Sequence, residues 1–182
     1  MQEYCSEILK RGFLTNDKFV CRFEDAYKKF LGADVAVANS NGTAALEMSF
    51  LAIGVKGQSV VMPSNTFVAT AVAAINAGAK PIILDVEPEY FSLCPKRLVE
   101  TMEAHSDIAA FCHVHIGSHV SPTFSQILES AKDKEIPIVE DSCQAIGATF
   151  NDQFAGTFGR FGCYSFFTTK NLTTGEGGMT VS

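Results

Sequence analysis

The part of this chain that organises the rest lies near its end and reads Tyr164-Ser165-Phe166-Phe167-Thr168-Thr169-Lys170-Asn171-Leu172-Thr173-Thr174-Gly175-Glu176-Gly177-Gly178. Its apolar start is typical of a buried strand, and its hydroxyl- and glycine-rich end is typical of a tight polar loop. Lys170 stands between the two. A lysine amine in a partly desolvated pocket can act as a Schiff-base nucleophile, whereas an exposed one stays a hydrated charge. This stretch alone leaves both roles open for Lys170.

The composition predicts one soluble globular domain with a small partner. Hydrophobic residues make up 47% of the 182 residues, enough for one sizeable core. No apolar run reaches the roughly 18 residues that span a membrane. The net charge of −6 and the lack of a basic cluster argue against nucleic-acid or anionic-membrane partners. The six cysteines lack C-x-x-C spacing and the start lacks the features of a signal peptide, so we expect reduced thiols and a cytoplasmic protein.

Apolar runs of strand length alternate with helix-like periodicity along most of the chain. We expect two short helices in residues 3–31 and further helices at 44–53, 66–76, 96–104 and 124–132. Seven strands are predicted at 35–38, 60–62, 81–86, 109–114, 136–140, 162–166 and 178–181. This alternation predicts an α/β fold in which a mostly parallel sheet is covered by helices on both faces. Ligands of such sheets bind at the carboxyl ends of the strands, where the polar clusters of this sequence lie.

The first polar cluster, Asn41-Gly42-Thr43, follows a strand and precedes a helix. Free backbone N–H groups and the helix dipole make such a turn a good site for phosphate, although many polar turns only cap a helix. No G-x-G-x-x-G motif and no P-loop is present, which argues against NAD and ATP.

Two further clusters each allow more than one interpretation. Glu140-Asp141 ends the fifth predicted strand, where a carboxylate either caps a helix or points into the ligand crevice. His113, His115 and His119 invite a metal site, and the first two share one side of a strand. The sequence offers no clear second pair of ligands, so we predict no metal.

Pyridoxal 5′-phosphate (PLP) is the one cofactor that these features fit together. It needs an amine for its aldehyde, an anion site for its phosphate, a carboxylate for its pyridine nitrogen and a flat apolar face. We assign the amine to Lys170, the carboxylate to Asp141 and the stacking face to Phe67. Gly42, Thr43 and Ser165 would hold the phosphate. Phe166 and Phe167 are expected in the core rather than against the cofactor.

Three blocks stand in order along nearly the whole chain: Asn41-Gly42-Thr43-Ala44-Ala45-Leu46, Glu140-Asp141-Ser142-Cys143-Gln144-Ala145-Ile146-Gly147-Ala148, and Ser165 to Gly178 as quoted above. Together they resemble the DegT/DnrJ/EryC1/StrS family of nucleotide-sugar aminotransferases, and the last block is most similar to perosamine-synthase-like members. The resemblance implies the aspartate-aminotransferase fold (PLP fold type I), a homodimer, and transfer of an amino group from glutamate to a nucleotide-linked keto sugar.

The resemblance also assigns roles to single positions. It implies that Lys170 forms the aldimine with PLP, Asp141 pairs with the pyridine nitrogen, and Gln144 contacts the ring hydroxyl. Thr43 and Ser165 stand where the family holds the phosphate, and Phe67 where an aromatic ring stacks on the cofactor. One departure lies in the loop after the fourth strand, where Ser118 stands at a position at which we expect glycine. The segment that follows, Pro122-Thr123, also departs from the pattern.

Two alternatives and a domain division complete the expectations. Some similar proteins are sugar dehydratases that carry histidine at the lysine position, and a PLP-binding chain without turnover is the other alternative. We divide the sequence into a helical segment, 1–31, and the PLP-binding large domain, 32–182. Members of the family continue into a small C-terminal domain that this sequence lacks, so we expect these 182 residues to fold but not to turn over a sugar alone.

Overall fold

The structure, a computed structural model, describes residues 2–182 and confirms the predicted α/β architecture. The helices are α1 Gln2–Arg11, α2 Lys18–Leu31, α3 Gly42–Ile53, α4 Ala69–Asn76, α5 Pro95–Ala104 and α6 Phe124–Asp133. The strands are β1 Ala36–Asn39, β2 Ser59–Pro63, β3 Lys80–Leu84, β4 Ile108–Val114, β5 Ile138–Asp141, β6 Thr149–Phe150, β7 Gln153–Phe154, β8 Phe161–Ser165 and β9 Gly178–Val181.

Seven strands form the main sheet in the order β1-β9-β8-β5-β4-β2-β3. Strands β3, β2, β4, β5 and β8 run parallel, whereas β9 pairs antiparallel with both β8 and β1. Strand β1 therefore points the same way as the parallel set. As a result, the carboxyl ends of β1, β2, β5 and β8 all lie at one edge of the sheet.

Alternating side chains of the central strands supply two separate cores. Val60, Met62, Ala110, Cys112 and Val139 face one side, where they pack against α3 and α4. The intervening residues Val61, Phe111 and Ile138 face the other side, where they pack against α5 and α6. Both faces are buried, which is why these strands read as continuous apolar runs rather than as alternating ones.

A third cluster connects the N-terminal helices with the last two strands. Tyr27 and Leu31 of α2 pack against Tyr164, Phe166 and Met179, and the rings of Tyr27 and Phe166 meet edge to face at 5.3 Å. The C-terminal end of β8 is thus also buried on the side opposite α3. The loop that carries Lys170 therefore starts from a strand that is packed on both faces.

Two elements differ from the sequence-based expectation. Helix α4 begins at Ala69 rather than residue 66, because the Thr66 N–H turns back to the Ser64 carbonyl and its hydroxyl bonds to Thr70. A small hairpin, β6–β7, was not predicted. Its turn is Asn151-Asp152, both at positive φ, a conformation that Asn and Asp tolerate and that two-residue hairpins require.

None of the helices within residues 2–182 combines the length and the hydrophobicity that a membrane crossing needs.

Candidate functional site

All seven residues that the sequence analysis selected line one cavity of about 520 Å³ at the carboxyl edge of the sheet. They come from four separate parts of the chain: the start of α3, the turn after β2, the end of β5, and β8 with its following loop. The residues are Gly42, Thr43, Phe67, Asp141, Gln144, Ser165 and Lys170. Parallel strands bring them together because their carboxyl ends share one edge.

One wall of the cavity is the N-terminus of α3. Asn41 caps this helix, since its side-chain oxygen accepts the Ala44 N–H at 2.9 Å. The first N–H groups, at Gly42 and Thr43, have no partner within the helix and carry the positive end of its dipole. Asn41, Gly42 and Thr43 all line the cavity, so this wall presents free donors to an anion.

Close backbone packing requires glycine on this wall. A Cβ atom at Gly42 would lie 2.6 Å from Cys143 Sγ and 2.9 Å from Ser165 Cβ. A Cβ atom at Gly178 would lie 2.3 Å from the carbonyl oxygen of Asn41. The two glycines let the helix start, the end of β8 and the start of β9 approach each other, which places the Ser165 side chain beside the helix N-terminus. Ser165 is 7% exposed, and its oxygen accepts the Phe167 N–H at 3.4 Å, which leaves its own proton to donate.

Asp141 lies at the end of β5 and is only 6% exposed. Its carboxylate accepts the Thr70 hydroxyl at 2.7 Å and the Cys143 N–H at 3.2 Å. The Thr66 hydroxyl lies 2.7 Å from that of Thr70; since Thr70 donates to Asp141, Thr66 is the donor to Thr70. Within residues 2–182 Asp141 takes part in no salt bridge. The site therefore contains a fixed, buried carboxylate that could pair with a cationic group of a ligand.

The two carboxylates that end β5 point to opposite faces of the sheet and have different hydrogen-bond partners. Asp141 points to the α3–α4 side and the cavity, as one of the two interpretations of Glu140-Asp141 predicts. Glu140 points to the opposite side, is fully buried, and bonds His115 Nε2 at 2.7 Å and the N–H groups of Gly156 and Phe158 at 2.7 Å each. Among the elements of residues 2–182 no helix follows β5, so neither residue is a helix cap.

Gln144 lies beside Asp141 at the rim of the cavity. Its side-chain oxygen accepts the Gly117 N–H at 3.0 Å, which orients the amide so that its NH₂ group remains free to donate. That donor suits an acceptor such as a phenolic oxygen on a bound ring.

Lys170 is half-buried and lines both this cavity and a smaller, adjoining one. Its backbone N–H donates to the Phe167 carbonyl at 2.9 Å, and no salt bridge within the described chain uses its amine. Lys170 is thus neither fully exposed nor ion-paired among the described residues, and its reactivity stays a prediction.

The aromatic residues divide differently from the prediction. Phe166 is 1% exposed and belongs to the core, as expected, but Phe167 is 42% exposed and lines the cavity, so its predicted place in the core is wrong. Phe166 and Phe167 directly follow β8, where the backbone is extended, so their side chains point to opposite sides of the chain. Phe67 lies in the turn before α4, 69% exposed, where its ring borders the cavity.

The smaller cavity measures about 280 Å³ and is lined mainly by polar groups: Ser118, Cys143, Gln144, Ile146, Thr169, Lys170 and Asn171. Ser118, where we expected glycine, has φ +62°, a backbone conformation that glycine adopts without strain. Burial raises the pKa of the Cys143 thiol well above its ordinary value, and the Asp141 carboxylate adds to the rise. Cys143 therefore stays a neutral thiol at the boundary between the two cavities.

The histidines of the fourth strand form a buried cluster away from the cavity. His113 stacks on Phe124 with ring centroids 3.9 Å apart, and His115 pairs with Glu140. His119 lies elsewhere, against the ring of Tyr90. Within the part of the chain that the structure describes, no three His, Cys, Asp or Glu side chains are arranged to hold a metal ion.

Sequence reasoning missed Thr66, Thr70 and Glu176. Thr66 and Glu176 line the larger cavity, and Thr70 holds Asp141 from α4. Glu176 belongs to the quoted lysine loop and could have been chosen from it. Nothing in the sequence connects Thr70 with Asp141, which lies 71 positions further along the chain.

Comparison with known proteins agrees with this geometry. Residues 1–182 match the DegT/DnrJ/EryC1/StrS aminotransferase family. GDP-perosamine synthase of Caulobacter vibrioides is 32% identical to this chain over 180 residues, which cover 98% of this chain and 48% of that protein. The chain spans about half the length of the curated relatives that it matches.

Solved structures show the same fold. A DegT DnrJ EryC1 StrS aminotransferase from Brucella abortus superposes with a TM-score of 0.90 at 29% identity, covering 97% of this chain and 49% of that one. The Escherichia coli GDP-4-keto-6-deoxy-D-mannose-3-dehydratase with bound hydrated PLP gives 0.86 at 26% identity, covering 97% and 46%. Aminotransferases of this family depend on PLP, and the predicted fold type I is confirmed. The chain belongs to the DegT/DnrJ/EryC1/StrS aminotransferase family.

Proposed function

We propose that this protein transfers an amino group from an amino acid to a nucleotide-linked keto sugar. The family resemblance implies glutamate as the donor, and residues 32–182 would hold PLP. One observation carries the proposal. Within residues 2–182, a buried carboxylate without a salt-bridge partner, a half-buried lysine and the free first N–H groups of α3 converge on one cavity of about 520 Å³.

The residues present fit PLP in charge and in shape. The N-terminus of α3, with the hydroxyls of Thr43 and Ser165, offers donors to a phosphate dianion. Gly42 keeps that wall open, because a side chain there would collide with Ser165 and Cys143. Phe67 offers an exposed aromatic face, and the free NH₂ group of Gln144 offers a donor to the ring hydroxyl.

Bound PLP supplies an electron sink that stabilises a carbanion at the substrate carbon. With PLP bound, Asp141 would keep a proton on the ring nitrogen, since a nearby carboxylate favours the charged form. Thr70 holds the Asp141 carboxylate at 2.7 Å and thereby orients it. Because both Asp141 and Thr70 are almost fully buried, water competes little with this pairing.

With PLP bound, Lys170 would hold the cofactor through its aldehyde group, and once released, Nζ would act as general base and acid. In the second role, Nζ takes the proton from the substrate carbon that bears the amino group. The half-buried setting on the cavity wall and the absence of a salt-bridge partner within residues 2–182 support both roles.

A dehydratase is the nearest alternative, since one of the similar structures carries that name. Lysine at position 170 favours the aminotransferase, because the family resemblance associates histidine at this position with dehydration. A third possibility for residues 1–182 alone is PLP binding without turnover of a sugar.

Three further proposals concern the setting of the reaction. We place the protein in the cytoplasm, which agrees with its six free cysteines. We propose a homodimer, in line with the exposed apolar side chains Met48, Leu51 and Ile75 on α3 and α4. We also propose a role in polysaccharide biosynthesis, in line with a 33% identical relative from Bacillus subtilis named spore coat polysaccharide biosynthesis protein SpsC.

Borohydride reduction in the presence of PLP, followed by peptide mass mapping, tests the proposal. The pyridoxyl adduct is expected on Lys170 and should disappear in Lys170→Ala, while Lys56 and Lys96 provide internal controls. An adduct on either control lysine, or none at all, contradicts the assignment.

Asp141→Asn separates cofactor capture from catalysis. The variant should still give the adduct on Lys170 but transaminate at least about tenfold more slowly, because one pKa unit at the ring nitrogen corresponds to about 1.4 kcal/mol. The rates are measured on the protein at full length with glutamate and nucleotide-linked keto sugars. Full activity of Asp141→Asn would show that the carboxylate does not have this role.

A further inference from the structure

Ser118 has an unusual backbone conformation for its residue type. Its φ is +62°, in the left-handed region that is strained for a residue with a Cβ atom. Within residues 2–182 four other residues besides glycine have positive φ: Phe91, Glu135, Asn151 and Asp152. None of those four lines either cavity, whereas Ser118 lines the smaller one beside Lys170.

The Ser118 hydroxyl joins three loops at this cavity. It donates a hydrogen bond to the backbone carbonyl of Gln144, in the loop after β5. It also accepts the side-chain amide of Asn171, next to Lys170, at 3.5 Å, the long end of the hydrogen-bond range. The neighbouring Gly117 N–H donates to the Gln144 side chain at 3.0 Å. The turn at residues 116–118 therefore contacts both the Gln144 loop and the Lys170 loop.

The direction of the Ser118 side chain depends on the strained backbone. An extended or right-handed φ would turn Cβ away from its present direction, and the hydroxyl would leave the Gln144 carbonyl. Strained residues that persist at a cavity wall are a reason to look for a function, because the surrounding structure has to hold them there.

We propose that Ser118 is a positioning residue, whose hydroxyl holds the Gln144 loop and the Lys170 loop at a fixed separation, and that its left-handed backbone is retained for this purpose. The inference deepens the proposed function and relies on it for the roles of Lys170 and Gln144. The contacts of Ser118 and Gly117 from which we infer the coupling of the loops do not depend on that function.

Two substitutions separate the hydroxyl from the strain. Ser118→Gly removes both, whereas Ser118→Ala removes the hydroxyl and keeps a Cβ atom in the left-handed region. Glu135→Gly is the matched control, since Glu135 is exposed, has φ +54° and lies after α6, outside both cavities. Ser118→Asn is the rescue variant, because asparagine tolerates this conformation and brings a donor.

The first readout is amide hydrogen exchange of residues 168–176 without PLP. We expect exchange to become about fivefold faster in both Ser118→Gly and Ser118→Ala, the effect of one lost hydrogen bond, and to return toward the wild-type rate in Ser118→Asn. Glu135→Gly should leave it unchanged. The melting midpoint should follow the strain instead and be about 2 to 4 °C higher in Ser118→Gly than in Ser118→Ala.

The second readout is PLP affinity by absorbance titration, which a purely structural role would not change. Both hydroxyl-free variants should bind PLP about fivefold more weakly, irrespective of their melting midpoints. Unchanged loop exchange in both variants, or faster exchange in only one of them, overturns the proposal. If the wild type binds no PLP but the exchange pattern holds, the proposed function fails while the coupling of the loops by Ser118 is upheld.

Discussion

At the scale of the single residue, the buried imidazole of His113 makes the folding stability depend on pH. His113 is 1% exposed, stacks on Phe124, and has no hydrogen-bond partner at either ring nitrogen among the described residues. Burial lowers the pKa of His113 well below its ordinary value, and the neighbouring His115 lowers it further. The folded protein therefore holds this imidazole in its neutral form.

Folding stability should fall as the pH drops below about 6.5, the ordinary pKa of histidine. In the unfolded chain His113 takes up a proton there, and in the folded chain it does not, so acid favours unfolding. The slope from this one group is at most about 1.4 kcal/mol per pH unit. Urea unfolding of wild type and His113→Phe at pH 7.5, 6.5 and 5.5 should show a shallower pH dependence in the variant. His105→Gln, at an exposed histidine, should keep the wild-type slope; equal slopes in all three proteins would contradict the prediction.

At the scale of elements, the end of β5 shows how one strand serves both the structure and the site. Successive residues point to opposite faces, so Asp141 reaches the cavity and Glu140 reaches the loop that precedes β8. Glu140 binds the N–H groups of Gly156, Phe158 and Gly159 and the ring of His115. This one carboxylate connects β4, β5 and the segment between β7 and β8.

Glu140→Gln should destabilise the fold by about 3 kcal/mol or more. The amide has no charge and turns a donor toward backbone N–H groups, which leaves buried groups unpaired. His115→Gln is the comparison variant and should cost less, since the three backbone donors keep their acceptor. Chemical unfolding measures both changes. A Glu140→Gln loss within about 0.5 kcal/mol, the range of ordinary surface substitutions, would show that the buried carboxylate is not needed.

For the whole molecule, PLP binding should appear as added stability. A ligand present at about 100 times its dissociation constant stabilises the folded state by about 2.7 kcal/mol, which for a domain of this size raises the melting midpoint by about 5 to 10 °C. Differential scanning fluorimetry of the chain with PLP measures the shift, and pyridoxal without phosphate is the ligand control.

Substitutions of cavity residues should reduce this increase in the melting midpoint, Lys170→Ala more than Ser165→Ala. Lys170→Ala should lose most of it, and Ser165→Ala should need roughly tenfold more PLP for the same shift, because a lost charge-assisted hydrogen bond corresponds to about 1.5 kcal/mol or more. Glu135→Gly, outside the cavity, should keep the full shift. If PLP raises the midpoint of Lys170→Ala and the wild type equally, the cofactor binds somewhere other than this cavity.

Local patterns were sufficient for the architecture and for six of the seven site residues, whereas Gln144 was assigned by the family resemblance. The seven strands and six helices follow from short-range hydrophobic periodicity, which records which face of each segment is buried. The seven selected residues lie around one cavity because each ends or follows a strand, and these strands share their carboxyl edge. Their individual chemical roles stay predictions.

Other features came only from the tertiary structure, since they depend on contacts between distant segments. Thr70 orients Asp141 across the gap between α4 and β5, and Ser118 reaches Gln144 and Asn171 only because three loops converge. The opposite roles of Glu140 and Asp141 depend on which face of β5 each occupies, and the exposure of Phe167 depends on how the chain leaves β8. The sequence shows which residues bury apolar surface and which form turns. The partners of a polar side chain are instead decided by packing across the sheet edge.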